Sequence, residues 1–253
     1  MSGHSKWATI KHKKAALDAK KGAAFTRLAR EVSVAAREGG SGDVNMNFRL
    51  RLAVDKARAA NMPGENVERA IKKGLGVSDS GARFEEIAYE GYGPGGAAIL
   101  VKAMTDNRNR TASEVRAAFT RGGGNLGETG SVGWVFDSKA IVTVDDVDEA
   151  KAEEVALAAI DAGADDFKVE DGSLEIIGPP ASLEAITKIV KAAGLEASNA
   201  TIGMVPKTTL ALDGGSAVQT LRLMDRLEEL DDVQQVFTNA DFAKEALEEY
   251  GAA

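Results

Sequence analysis

The chain has 253 residues, of which 44% are hydrophobic and 28% are charged, and its formal net charge is −8. This length and composition fit one large or two to three small domains with ordinary apolar cores. The absence of cysteine excludes disulfides, thiolate metal sites and a cysteine nucleophile. The longest apolar run, residues 97–101, is too short to cross a bilayer, and the N-terminus lacks the apolar centre of a signal peptide. We therefore expect a cytoplasmic protein that does not contact a membrane.

The negative total charge conceals a division along the chain. Residues 1–80 contain 16 Lys and Arg against 8 Asp and Glu, whereas residues 81–253 contain 15 against 31. A basic segment attracts a polyanion because each neutralised phosphate releases condensed counterions. We therefore predict that the first part binds nucleic acid and that the acidic remainder limits indiscriminate binding.

Helical patterns fill the first 76 residues. In the first helix, apolar residues recur on one face, and Arg27, Arg30 and Arg37 cluster nearly opposite. Two further helices follow the glycines at 39–42. They cover residues 49–60 and a segment that follows Gly64 and ends at Gly74, and a polar linker is predicted at residues 74–81.

Strand and helix patterns alternate beyond the linker. The predicted strands are 98–104, 131–136, 141–144, 167–169, 174–177, 196–204, 206–212 and 233–237, and the predicted helices are 111–121, 149–162, 182–193 and 217–230. Residues 89–96 are predicted to form a further strand that leads into a tight turn. The central elements make a complete βαββαβ unit, and the flanking ones together make a second.

These elements predict an α+β fold in which a three-helix module precedes two ferredoxin-like βαββαβ domains, one inserted in the other. The predicted domains are 1–78 (basic helical), 79–138 plus 205–253 (outer, discontinuous) and 139–204 (inserted). The alternative is two consecutive domains. That arrangement would leave the first of them with too few elements to cover its sheet.

Candidate nucleic-acid contacts begin in the N-terminal tail. Trp7 lies among lysines, which places an aromatic face for a base beside charges for phosphate. The alternatives are a solvated tail and docking of Trp7 onto the helices. His4 and His12 lack further ligands, so we predict no metal site. The predicted contacts are Lys6, Trp7, Lys11, His12, Lys13, Lys14, Lys20 and Lys21, continued by Arg27, Arg30 and Arg37.

Two later segments are further candidates. Arg108 and Arg110 precede a predicted helix N-terminus, where free amides favour an anion, unless Asn and Thr cap those amides. Thr111 and Glu114 have the spacing of a capping box. The second segment is a glycine-rich connection, which either brings its backbone close to phosphate or is simply mobile. Its predicted contacts are Arg121, Gly122, Gly123 and Gly124.

Nothing in the sequence supports catalysis. The G-x-G-x-x-G at residues 122–127 follows a helix and precedes a strand, which is the wrong context for a dinucleotide site. Glu85, Glu86, Glu90 and Asp106 have no spacing that distinguishes them from a solvated face. We predict that the protein is not an enzyme and has no cofactor.

Short motifs recur along the chain: GHSKW at 3–7, IKHK at 10–13, AAREGG at 35–40, NMP at 61–63, RAIKKG at 69–74, YEGYGP at 89–94, TDNRNRT at 105–111 and GSV at 130–132. Together these motifs resemble the YebC family of bacterial regulators. The resemblance implies a three-domain cytoplasmic protein, described either as a DNA-binding transcriptional regulator or as a ribosome-associated factor that relieves stalled translation. Mitochondrial members are translational activators of cytochrome c oxidase synthesis. Members commonly have prolines where this chain has Val44 and Phe48, and no catalytic residue is carried over.

Three functions remain open at this point. The first is a transcriptional regulator that binds DNA, although the helices lack an obvious base-reading pattern and no dimer signature is present. The second is a ribosome-associated factor, which the lysine-rich tail favours because lysine suits recognition of RNA shape and phosphate. The third is a small-molecule sensor built on paired ferredoxin-like units.

Overall fold

The computed structural model describes residues 21–76, 84–170, 172–212 and 214–252. Helices come first and two four-stranded antiparallel sheets follow, which confirms the predicted α+β class. The helical module comprises α1 (Lys21–Glu38), α2 (Phe48–Ala59) and α3 (Gly64–Gly74). Asn47 begins α2, since its side-chain oxygen accepts the Leu50 amide. The core of the module includes Val32, Leu50, Val54 and Val67.

The outer sheet has the strand order β3-β1-β2-β9. Its N-terminal elements are β1 (Glu85–Tyr92), β2 (Ala98–Thr105), α4 (Arg108–Arg121) and β3 (Asn125–Leu126). The C-terminal elements of the outer domain, numbered in chain order, are β8 (Leu210–Leu212), α7 (Gly214–Glu228), β9 (Val233–Thr238), β10 (Ala240–Phe242) and α8 (Lys244–Ala252). Of these strands only β9 joins the outer sheet, and β8 and β10 form a separate two-stranded sheet. Phe119 of α4 and Leu221 of α7 are buried in one core with Val101 and Val236 of the sheet.

The second sheet is formed by the elements that lie between β3 and β8 in the chain. These are β4 (Phe136–Val144), α5 (Glu149–Asp161), β5 (Asp166–Glu170), β6 (Ser173–Gly178), α6 (Leu183–Ala192) and β7 (Asn199–Pro206). The strand order β5-β6-β4-β7, with every pair antiparallel, is the ferredoxin-like arrangement. Phe48 and Leu52 of α2 pack against the core of this unit. The exact domain boundaries stay a prediction.

Two of the predicted strands are wrong, and one predicted helix begins earlier than expected. The strand predicted at 131–136 is absent, because Gly133–Val135 forms a 3-10 turn and β4 begins at Phe136. The segment predicted as a strand at 206–212 does not complete the outer sheet, since its described strand β8 pairs in parallel with β10. Instead β1 occupies the place beside β2. Helix α4 begins at Arg108 rather than Thr111, because Asn107 caps it.

Candidate nucleic-acid interface

Most of the predicted tail lies outside the described residues. This applies to Lys6, Trp7, Lys11, His12, Lys13, Lys14 and Lys20. Lys21 is the first residue of α1. Nucleic-acid binding by these residues therefore stays a prediction from the sequence.

The arginines of α1 contact the outer domain instead of forming a free basic face. Arg27 donates to the carbonyl oxygens of Glu228 and Leu230, at the C-terminal end of α7 where the helix dipole is negative. Arg30 donates to the Asp231 carbonyl, and Arg37 donates to the Phe84 carbonyl. Burial lowers the pKa of the Arg27 guanidinium, as expected for a cation withdrawn from water. Phosphate binding by Arg27, Arg30 and Arg37 stays a prediction, and it would require this contact to open.

Asp232 is the buried acid at the centre of the same contact. Its carboxylate lies 2.9 Å from Arg30 Nη1 and 2.7 Å from Arg110 Nη2, and the Asp232 side chain is 2% exposed. The hydroxyls of Thr111 and Thr105 donate to the same carboxylate over 2.7 and 3.1 Å. Burial alone would raise the pKa of Asp232, but the hydrogen bonds and the Arg30 charge outweigh it and lower the pKa. This carboxylate therefore joins α1, β2, α4 and β9.

The arrangement explains the segment around Arg108 and Arg110. Asn107 accepts the Arg110 amide, so the end of α4 is capped from within the chain. Arg110 also pairs with Asp106 at 3.0 Å, and Arg108 Nε pairs with Glu85 at 2.6 Å. The predicted capping box at Thr111 is wrong, because its hydroxyl bonds to Asp232 from inside the helix. The geometry favours the capping alternative over a phosphate site at this terminus.

The glycine-rich connection is explained by close packing. The amides of Gly122, Gly123 and Gly124 donate to carbonyl oxygens of the preceding turn of α4. A Cβ at Gly124 would lie 2.6 Å from the Tyr92 carbonyl oxygen, and one at Gly122 would lie 2.6 Å from Leu223. The amides are thus satisfied internally, which does not favour a phosphate cradle. Arg121 is exposed at the start of the connection and has no ion-pair partner among the described residues.

Helix α3 presents the cations that the sequence did not single out. Arg69, Lys72 and Lys73 have i, i+3 and i+4 spacing and therefore share one side of the helix. Arg69 contacts only the Asn66 amide oxygen at 3.4 Å, and within the described ranges none of the three forms an ion pair. Glu65 and Glu68, one turn earlier, form none with them either. In the sequence they belong to the RAIKKG motif at 69–74, and they were not among the predicted nucleic-acid contacts.

A groove of about 360 Å³ lies beside these cations, between α1 and α3. Its walls include Phe25, Asn66 and Phe84, and Arg69 and Lys73 line it as well. The Lys73 ammonium lies 4.3 Å from the centre of the Phe84 ring, which fits a cation–π contact. The groove and the exposed side of α3 are therefore the part of the described helical module best suited to a polyanion.

The described residues show neither a metal-binding cluster nor a membrane-spanning helix. Within the described ranges, no group of three or more His, Cys, Asp or Glu side chains could hold a metal ion. No helix in the same part of the chain has the length and apolar character needed to cross a membrane.

Comparison with known proteins covers nearly the whole chain. The model of the TACO1/YebC protein N-terminal domain matches residues 5–77, and that of the TACO1/YebC second and third domain matches residues 84–240. A protein of Chloroflexus aurantiacus is 52% identical over the full length of both chains. One from Geobacter sulfurreducens is 53% identical, over 98% of this chain and 99% of the relative. Both are named probable transcriptional regulatory proteins.

A solved structure shares the fold. The crystal structure of a conserved hypothetical protein from Aquifex aeolicus matches with a TM-score of 0.82 and 43% sequence identity. The match covers 90% of this chain and 93% of that one. The similarity therefore extends across the helical module and both sheets.

Proposed function

The chain belongs to the TACO1/YebC family, and we propose that it is a nucleic-acid-binding regulator of gene expression that acts without catalysis in the cytoplasm. Relatives of similar length are named probable transcriptional regulatory proteins, which supports a regulatory function. The observation that carries the proposal is the charge division, with 16 basic residues against 8 acidic ones in residues 1–80. A phosphate polymer is the ligand class that such a module attracts.

The second candidate specifies a different partner, namely folded RNA of the ribosome. The lysine-rich composition of residues 1–80 favours it, because lysine makes point-charge contacts to phosphate and carries little base-reading chemistry. The transcriptional names of the relatives favour duplex DNA. A small-molecule sensor is set aside, since the groove described above lies on the helical module and not between the two sheets.

The test compares the two partners at one salt concentration. Cosedimentation of the full chain with ribosomes is measured beside its retention on duplex DNA, and both are repeated with the K11E/K13E/K14E variant. We expect association with ribosomes that the variant loses while its circular dichroism spectrum is unchanged. Saturable binding to one promoter fragment, without cosedimentation with ribosomes, would support a DNA-binding regulator instead. Association that persists unchanged in the variant would show that the lysines of the tail are not part of the interface.

A further inference from the structure

Two aromatic side chains of the outer domain are held at the surface by one backbone oxygen. Trp134 is 68% exposed and Tyr92 is 40% exposed. The Trp134 Nε1–H donates to the Ser131 carbonyl oxygen over 3.0 Å, and the Tyr92 hydroxyl donates to the same oxygen over 2.9 Å. Both rings are therefore fixed to the same point of the turn that precedes β4.

That turn is itself anchored by a buried carboxylate. Glu90 is 7% exposed and accepts the amides of Gly130, Val132 and Gly133 over 2.8, 2.7 and 2.6 Å. Burial alone would raise the pKa of Glu90, but the three amides outweigh it and lower the pKa, so the group is ionised at neutral pH. The exposed indole is consequently held by an ordered support, which reduces the entropy lost when a ligand binds.

The polar atoms of both rings are already used within the chain. The indole N–H and the phenol hydroxyl share Ser131, so what remains for a ligand is aromatic surface. A nucleobase recognises such a surface by stacking, which requires no further hydrogen bond from the ring. Exposure of a tryptophan also forgoes the stabilisation that burial of a large apolar side chain gives.

We propose that Tyr92 and Trp134 form a stacking site for an unpaired base of a single-stranded nucleic acid. The site lies on the outer domain, apart from the helical module, and so goes beyond the proposed function. The inference rests on the proposed function only in taking nucleic acid as the class of ligand. A duplex is not expected to use it, since the faces of paired bases are covered by their neighbours in the stack.

Cationic residues on the segments next to the two aromatic residues favour nucleic acid as the occupant. Val135 follows Trp134 in the sequence, and the backbone amide of Lys207 donates to the Val135 carbonyl oxygen over 2.8 Å. The Lys207 ammonium pairs with Asp137 at 3.2 Å, and both side chains are 50% exposed. Exposed pairs are weak, so phosphate can compete for this ammonium. Arg121 lies at the start of the glycine-rich connection that leads into β3. In that strand, Asn125 is the cross-strand partner of Tyr92. Residues 81–253 are acidic as a whole, yet a lysine and an arginine occur on the chain segments that pair with the backbone next to Trp134 and at Tyr92.

The chain offers a direct optical test because it contains only two tryptophans, at positions 7 and 134. In a W7F background, the emission of Trp134 reports on the site alone. The probes are single-stranded oligoadenylate and oligodeoxyadenylate of about 12 nucleotides, a length that spans a typical binding groove, and a duplex of equal length. Anisotropy of a labelled oligonucleotide measures total binding in parallel. We expect the single strands to quench Trp134 emission and the duplex to leave it unchanged.

Substitutions separate stacking from general surface effects. W134L should weaken single-strand binding about tenfold, and W134F should restore most of it because the phenyl ring keeps an aromatic face. The matched control is L157A, which removes a 60% exposed apolar side chain from α5 and should not change binding. The slope of log affinity against log salt should be the same in W134L and wild type, since no charge is lost.

Several results would overturn the site. Oligonucleotide binding without quenching, or with W134L equal to wild type, would refute stacking and leave the proposed function standing. Quenching by the duplex as strong as by the single strand would refute recognition of an unpaired base. Failure of every single strand to bind would also refute the site, while the comparison of ribosomes with duplex DNA would still decide the proposed function.

Discussion

At the scale of single residues, Asp232 links the helical module to the outer domain. Its buried carboxylate pairs with Arg30 of α1 and Arg110 of α4, and it also accepts two threonine hydroxyls. A buried charge is costly unless it is paired and hydrogen-bonded, and here these groups supply that compensation. The loss of this one carboxylate would remove an ion-pair partner from cations of two separate elements, and Arg110 would keep only Asp106.

We therefore predict that D232N lowers the free energy of unfolding by about 3 kcal/mol, the usual cost of breaking a buried ion pair. The matched control is D106N, which removes the more exposed partner of Arg110 and should cost less than about 1 kcal/mol. Urea denaturation measures both. Equal stability of D232N and D106N would show that Asp232 does not hold the contact.

The same carboxylate predicts a pH dependence. Because its pKa is lowered in the folded state, its contribution is fully present above the ordinary aspartate pKa of about 4. That contribution is lost as the pH falls from about 4 through the lower folded pKa. The difference in stability between wild type and D232N should therefore shrink below about pH 4.

The sequence reveals only part of this residue-level arrangement. Helical periodicity correctly places Arg27, Arg30 and Arg37 away from the apolar face of α1. The partners of Arg27 and Arg30 lie 201 to 203 residues away, however, and no local pattern indicates a carbonyl oxygen at that distance. Trp134 was overlooked for a similar reason, because its exposure depends on a turn held by Glu90 at a separation of some 40 residues.

At the scale of elements, the glycine-rich connection shows how packing can imitate a ligand-binding motif. Gly122 lies against Leu223 of α7, and Gly124 lies against the backbone at the end of β1. These approaches let α4 turn directly into β3 at the edge of the outer sheet. The glycines therefore act in the fold, whereas the neighbouring Arg121 is still available at the surface.

G124A tests this interpretation. The added Cβ would lie 2.6 Å from the Tyr92 carbonyl oxygen, and we predict a loss of about 2 kcal/mol in the free energy of unfolding. The control is G64A at the start of α3, where a Cβ meets nothing within 4 Å and should be neutral or slightly stabilising. A fully stable G124A variant with impaired nucleic-acid binding would instead assign the glycine to the interface.

The elements that were predicted correctly have strong local signals. Helices α1, α2 and α3 have clear apolar periodicity, and the βαββαβ pattern of the inserted sheet is complete within its own segment. The outer domain was harder because β3 has two residues and β8 has three, too few for a period of two to emerge. The edges of the outer sheet are set by pairing with distant strands, and β10 and α8 were not predicted at all.

At the scale of the whole molecule, the charge division is the property on which the proposed function depends. The division into a basic part, residues 1–80, and an acidic part, residues 81–253, is apparent from the residue counts alone. The structure changes which cations of the helical module are available, because the α1 arginines are engaged with the outer domain. Arg69, Lys72 and Lys73 of α3 stand beside the groove instead, so we expect them to add to whatever the N-terminal tail contributes.

The most direct test of nucleic-acid binding by this module is the salt dependence of affinity for the R69E/K72E variant of the full chain. If both side chains meet phosphate, affinity falls and the slope of log affinity against log salt decreases by about 2, one for each contact. The control K188E/K191E makes the same change in net charge on α6, where Lys188 already pairs with Glu184. We predict a reduced slope for R69E/K72E and a wild-type slope for the control. Equal slopes in all three proteins would contradict phosphate binding by α3.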